Sequence, residues 1–445
     1  MSQQAVLLPY TDPAFVADPF PLYRRLRDDG PVRRAVIAGG LEAWLVTRYE
    51  DGLAALSDPR LSSDLRDASD PRLVELLPAT DRESALRNML RSDPPDHTRL
   101  RRLVSGAFTA RRVAGLRPRV QEIADRLLDA IGPDGRADLV ESFALPLPVT
   151  VIGELLGVPA ADRDDFRRWT DDMILRGAER PDPARTDRAW RGMRGYLTGL
   201  LAQKRARPED DLLSALIAAR DEEGRLDEDE LIAMAFLLLV AGYITTVNLI
   251  GSGIAALLAH PDQLRVLRDD PALLPGAIEE FLRYDGPVSP GIARFAREDV
   301  TIAGVAVPRG ATVLIASAIA DRDPERFPDP DRLDVSRQDN VHLAFGHGIH
   351  YCLGAPLARL EGQVAIGTAL RRLPDLALAV PPEALRWRPG GLRGPEQLPV
   401  TFTADAPAPG GVPGAARWGP DDGPGRPSGH RSPAIGHRPR PGLSR

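Results

Sequence analysis

Residues 231–259 form a run of 29 residues without a single Asp, Glu, Lys or Arg. As a helix this run extends about 43 Å, long enough to cross a bilayer. It therefore has to be a membrane span or the buried spine of a large domain. Thr245, Thr246, Asn248, Ser252 and three glycines interrupt its apolar character, and it lacks the Trp/Tyr belts and flanking basic asymmetry of a span. Asp227 and Glu230, just ahead of it, have the spacing of a capping box, in which each side chain takes the other's backbone N–H at a helix start in water. The expectation is a soluble protein built around one buried helix.

A buried spine needs a coat, and the flanking sequence supplies it. Amphipathic periodicity predicts helices near 21–29, 96–116, 118–131, 146–156, 186–204 and 211–219. Short β-branched or alternating runs predict strands at 42–47, 300–307 and 312–319, the last two joined as a hairpin through Pro308-Arg309-Gly310-Ala311. The fold class is thus mainly α with a minor β-sheet. The catalytic body spans 1–404. Residues 405–445 hold nine prolines and nine glycines with little aliphatic content, the composition of a disordered tail. A net charge of −6 without a basic stretch in the body argues against a nucleic-acid partner. The N-terminal residues lack the basic and apolar regions of a secretory signal, which places the protein in the cytoplasm with no membrane partner.

Cys352 is the only cysteine, so disulfides and multi-thiolate zinc sites are excluded. It lies in FGHGIHYCLG, residues 345–354, and Pro356 then opens a helical pattern through Leu357, Leu360 and Val364. A sulfur just ahead of a helix meets unpaired N–H groups and the positive end of the dipole. Gly346, Gly348 and Gly354 let the chain fold closely around it and let a flat ligand approach. These features favour an axial thiolate to haem over a nucleophile or a merely buried thiol.

The decapeptide resembles the haem-binding signature of cytochrome P-450 enzymes. The similarity to soluble bacterial members extends from about residue 10 to 404 and includes SDPPDHTRLRRLV at 92–104, EEFLRYDGPV at 279–288 and FPDPDRLDVSR at 327–337. The resemblance implies the cytochrome P-450 fold, with haem b held between the long central helix and the cysteine loop, and activation of O2 at iron. It makes Cys352 the metal ligand and sets Phe345, Gly346 and Gly354 around it. It makes His97, Arg101, Arg294 and His350 partners of the haem propionates, and it assigns Glu280, Arg283 and Arg332 to a structural ion network. Electrons come from NAD(P)H through a ferredoxin reductase and a ferredoxin, for which Arg99, Arg102, Arg111 and Arg112 offer a basic face, and the protein acts as a monomer.

The central helix carries Ala241-Gly242-Tyr243-Ile244-Thr245, which resembles the oxygen-activation motif of the family except at one position. Ala241 and Gly242 leave room for dioxygen and Thr245 offers a hydroxyl, but Ile244 stands where the family has an acid. Three readings follow: a monooxygenase hydroxylating or otherwise oxidising its substrate with protons from another source, an oxidative radical-coupling enzyme, or a weakly active haem-containing docking module. By resemblance the substrate meets Leu237, Val240, Tyr243, Val288 and Ile292, besides the loop at 71–90 and the hairpin at 392–398. Such a pocket suits a medium-sized, largely apolar specialised metabolite, as in actinobacterial enzymes tailoring polyketides or peptides in antibiotic biosynthesis.

Overall fold

The computed structural model describes residues 5–75, 86–131, 134–175, 182–223 and 226–403. The proline- and glycine-rich extension and the middle of the 71–90 loop lie outside them. The uncharged run forms the long helix Glu228–Ala259 and is mostly buried within the protein rather than offered to lipid. Its capping box is made: Asp227 Oδ1 accepts the Glu230 N–H at 2.8 Å, and Glu230 Oε2 accepts the Asp227 N–H at 3.0 Å. Arg99 then closes on the same Glu230 carboxylate at 2.5 and 3.1 Å, tying two helices together. That arginine is spent on packing, whereas Arg102, Arg111 and Arg112 remain exposed.

The helices that position the site are α1 (Asp96–Ser105), α2 (Arg117–Asp129), α3 (Pro146–Leu156), α4 (Arg163–Thr170), α5 (Pro183–Ala206), α6 (Glu228–Ala259), α7 (Leu274–Tyr284) and α8 (Ala355–Arg372). The central helix α6 packs against α3, α5, α7 and α8, and α8 also packs on α2. Their apolar faces merge into one large core. Since α6 is apolar all round, it is stable only when neighbours cover every face.

Beside this helical mass lies a mixed sheet. Its strands are β1 (Val6–Leu7), β2 (Val32–Ile37), β3 (Leu41–Val46), β4 (Leu61–Ser62), β5 (Ile292–Ala296) and β8 (Thr312–Ile315), after the separate pair β6 (Val300–Ile302) and β7 (Val305–Val307). The sheet order is β1-β2-β3-β8-β5-β4. Here the structure corrects the expected hairpin. Residues 300–307 fold back on themselves at Ala303-Gly304, both at positive φ (47° and 80°), so that β6 pairs with β7. β8 pairs instead with β3 and β5, and residues 317–320 are helical. The Ala-Gly step within the apolar run was the turn; the Pro-Arg-Gly-Ala link is only a connection. β5 thereby brings Arg294 into the sheet, Ile292 pairing with Ile315.

Candidate active site at the cysteine loop

The Cys352 loop is a backbone-built cradle. Its N–H donates to the Phe345 carbonyl at 2.9 Å, closing residues 345–352 into a tight loop. Gly346 and Gly348 sit at φ +69° and +70°, a region costly for other residues. A Cβ on Gly348 would also stand 3.0 Å from the Leu56 carbonyl. Pro356 lies in the first turn of α8, and the Gly354 and Ala355 N–H groups point at the sulfur. Burial pushes the Cys352 thiol up, against the pull of those N–H groups and of Arg101 and Arg359. A free thiol in such a place is a poor nucleophile. The donors are set for a thiolate whose charge is balanced by a metal.

Four residues expected at the haem edge come together although they stem from three parts of the chain. His97 on α1 is 2% exposed and both its ring nitrogens are buried without a hydrogen-bond partner. Burial, reinforced by His350, Arg101 and Arg294, lowers its pKa to about 4. The His97 and His350 rings lie 4.2 Å apart. Arg294 is buried, with Nη1 donating to the Ala293 carbonyl at 2.9 Å, and desolvation pulls its pKa down. Arg101 donates to the Tyr351 carbonyl at 2.7 Å, next to the cysteine. Orphaned donors and under-neutralised cations in one buried cluster fit the acidic edge of a haem, which would accept from them. His350 differs from the other three: Ser63 Oγ holds its Nε2 at 2.9 Å, with Asp93 3.7 Å away. Sequence reading missed these two residues. Asp93, held well below the usual carboxylate range by nearby His350, its bonds to Ser62 and Ser63 and the charge of Arg297, anchors the Ser62–Ser63 segment whose Ser63 hydroxyl meets the imidazole.

On α6 the motif residues divide between faces. Ala241 is exposed in the middle of an otherwise buried helix, with Gly242 and Thr245 half-buried beside it. Thr245 Oγ1 donates to the Ala241 carbonyl at 3.2 Å. Gly242 has a packing reason as well, since a Cβ there would meet Ile152 of α3 at 2.9 Å. Ile244 is 3% exposed and, with Tyr243, lines a different, polar cleft. Of the expected pocket residues, Leu237 and Val240 are buried on α6. Val288 bridges to Leu392, joining the two loops expected to meet the substrate, and Ile292 Cδ1 approaches Gly346. Tyr243 instead packs on Phe166, 5.7 Å between rings.

The ion network beneath the loop requires a correction. Glu280 and Arg283 on α7 are fully buried and bidentate at 2.7 and 2.8 Å, and Arg283 also donates to the carbonyls of Asp321, Pro330 and Arg332. The third guanidinium belongs to Arg337, whose Nε reaches Glu280 Oε2 at 3.1 Å. Arg332 contributes only its carbonyl; its side chain is 62% exposed, beside Asp334. The Arg332 side chain leaves the run of turns at 324–332 outward, while Arg337, five residues on, points back under α7. Next to this network Glu279 binds Arg359 of α8 at 2.8 and 2.7 Å, which holds its pKa at about 2. The Arg359 guanidinium lies 4.6 Å over the Phe345 ring and donates to Tyr351 Oη, gripping both ends of the cysteine loop.

A buried helix with one open patch, together with a glycine-built cysteine loop flanked by an unpartnered histidine and by arginines with no carboxylate partner among the described residues, fits a haem-thiolate protein. Comparison with known proteins agrees. The family described as "Cytochrome P450" matches residues 174–374. Among characterised proteins, the chain is 54% identical over 393 residues to cytochrome P450 monooxygenase PikC of Streptomyces venezuelae, covering 87% of this chain and 92% of that one. It is 46% identical over 394 residues to 6-deoxyerythronolide B hydroxylase of Saccharopolyspora erythraea, covering 87% and 96%. The structure of the tirandamycin C-bound P450 monooxygenase TamI superposes with a TM-score of 0.83 at 46% identity, over 89% of this chain and all of that one. The chain belongs to the cytochrome P450 family. It is a haem-thiolate monooxygenase of the mainly α P450 fold, acting on a small molecule with electrons from NAD(P)H delivered by redox partners. Haem, when bound, would supply the iron at which O2 is activated, and Cys352, His97, Arg101, Arg294 and His350 are the residues that would hold it.

Proposed function

We propose that this enzyme oxidises a medium-sized, largely apolar polyketide-type metabolite, by hydroxylation or epoxidation, in the cytoplasm. Support for the substrate class comes from relatives named 6-deoxyerythronolide B hydroxylase and mycinamicin IV hydroxylase/epoxidase. The single observation in the structure that carries the reading is the gap in the burial of α6 at Ala241, Gly242 and Thr245, bordered by Leu237 and Val240. Cys352 would ligate the haem iron through its sulfur, His97, Arg101 and Arg294 would meet the propionates, and His350 would lie beside them on its bond to Ser63. Ile244 can neither give nor take a proton, so proton supply falls to Thr245, to water or to the substrate. A ferredoxin, reduced by its reductase, docks as an acidic carrier against Arg102, Arg111 and Arg112, and the protein works as a monomer. The test has two steps. Reduced protein under carbon monoxide should show a strongly red-shifted Soret band. Titration with a macrolactone such as 6-deoxyerythronolide B should then shift the haem spin state, and turnover with a surrogate ferredoxin pair should add one oxygen atom by mass. A coupled dimer with no oxygen added would instead establish radical coupling, and a spectrum without the red shift would remove the thiolate assignment.

A further inference from the structure

The side of α6 that carries Ile244 faces a second space whose chemistry differs from that of the haem pocket. An open cleft of ≈ 350 Å³ lies between α6, Arg167 near the end of α4, and the segment holding Arg388 and Glu396. Ile244, Val247, Val140 and Leu145 give it apolar walls. Its charges are unevenly satisfied. Arg167 is spent, with its two terminal nitrogens on Glu141 at 3.0 and 2.7 Å. Arg388 is not. Its guanidinium donates from Nη1 to the amide oxygen of Asn248 at 3.1 Å, and among the described residues no carboxylate forms an ion pair with it. Burial pushes its pKa down, only partly offset by the more distant Asp171 and Glu396. Asn248 is itself 1% exposed, and its Nδ2 is buried without a partner.

A half-buried guanidinium with one amide partner and no carboxylate is the under-neutralised charge of this cleft, and a planar acceptor answers it best, because carboxylate matches the guanidinium fork with two charge-assisted bonds. We propose that the cleft is a binding site for a carboxylate-bearing small molecule, with the carboxylate on the Arg388 guanidinium and the apolar body along Ile244 and Val247. Ile244 is part of the device. A carboxylate at that position would project into the same cleft and compete for Arg388; isoleucine leaves the cation free and gives the ligand an apolar wall. Asp171 and Glu396, both on the cleft wall, work against the site by repulsion, and removal of Glu396 should strengthen binding.

The probe is decanoate, with decanol and decyltrimethylammonium as controls. Binding is measured calorimetrically on the haem-loaded protein after the haem pocket has been filled with an azole. Decanoate should bind at least tenfold more tightly than either control. Binding should weaken at least tenfold in Arg388→Gln, recover in part in Arg388→Lys, weaken in Ile244→Glu and tighten in Glu396→Gln. No decanoate binding, loss of binding on addition of azole, unchanged affinity in Arg388→Gln, or preference for the cationic control each overturns the proposal. The carbon monoxide spectrum of the same samples tests the haem-thiolate reading separately and shows that each variant has folded.

Discussion

The assignment of the third network arginine to Arg337 rather than Arg332 is testable by two single substitutions and a reference. Glu280 accepts four bonds: two from Arg283, one from Arg337 and one from the Asp334 N–H at 2.9 Å. Glu280→Gln removes the charge that balances two guanidinium groups, one fully buried and one 10% exposed. Breaking such a buried pair costs about 3–5 kcal/mol. Arg337→Met leaves the Glu280–Arg283 pair intact but removes one charge-assisted bond and the bonds to the Pro328 and Asp329 carbonyls, a loss of about 1.5–3 kcal/mol. Arg332→Met removes an exposed side chain 3.7 Å from Asp334 and should stay within about 0.5 kcal/mol of the parent. In a folded body of this size 1 kcal/mol corresponds to about 1 °C in Tm. Thermal unfolding followed by circular dichroism at a fixed scan rate should therefore rank the variants Arg332→Met, Arg337→Met, Glu280→Gln in order of increasing loss. A drop for Arg332→Met equal to that for Arg337→Met would refute the placement.

Three further outcomes follow from particular groups. Asp321 is buried with its pKa raised to about 7, mainly by desolvation, so stability is full below about pH 4, falls as pH rises to 7 and is level above, a total of about 4 kcal/mol. Asp321→Asn keeps the acceptor for the Leu343 N–H and should be more stable than the parent at pH 8 but equal at pH 4; a Tm difference that does not change between these pH values would refute this. Cys352→Ser should retain the helical circular dichroism signal but lose the red-shifted Soret band of the reduced carbon monoxide complex, which fails as a prediction if the band persists. Asp227→Ala removes one half of the capping box and should cost about 1 kcal/mol, read as a lowered Tm with an unchanged haem spectrum.

What was legible in the sequence shares one property: its signal is local. The capping box, the cysteine loop and the extent of the central helix each depend on residues within a few positions of one another. Each of them is found as expected. What was misplaced or missed depends on contacts across the fold. The choice between Arg332 and Arg337 turns on which side chain comes back under Glu280, more than fifty residues upstream. Ser63 meets His350 across 287 residues, and Arg359 meets Glu279 across 80. Arg337 had a signal, since it closes the same FPDPDRLDVSR segment, but Asp93 had none beyond its place ahead of His97. The hairpin error was local yet ambiguous: Ala-Gly and Pro-Arg-Gly-Ala both allow a turn, and only pairing with β3 and β5 decides which strand goes where.

The same feature that restricts the fold also locates the chemistry. A helix with no charge over so long a run is stable only if every turn is covered, because each exposed apolar side chain forfeits about 1.5–3 kcal/mol of burial. α6 meets that demand along nearly its whole length, and it is relieved at Ala241, Gly242 and Thr245, which lie at i, i+1 and i+4 and so share one face. Small side chains there keep the uncovered apolar area low before a cofactor arrives. The neighbouring face, at Ile244 and Val247, is instead kept apolar beside a charged cleft. An acid at 244 would bring a charge to the interior of α6 and would need Arg388 or Arg167 as its partner. With isoleucine the helix remains uncharged beyond its first turn, at the expense of a guanidinium left without a carboxylate. The departure from the family motif therefore displaces the electrostatic problem from the helix to Arg388, and a ligand that answers Arg388 would complete the site.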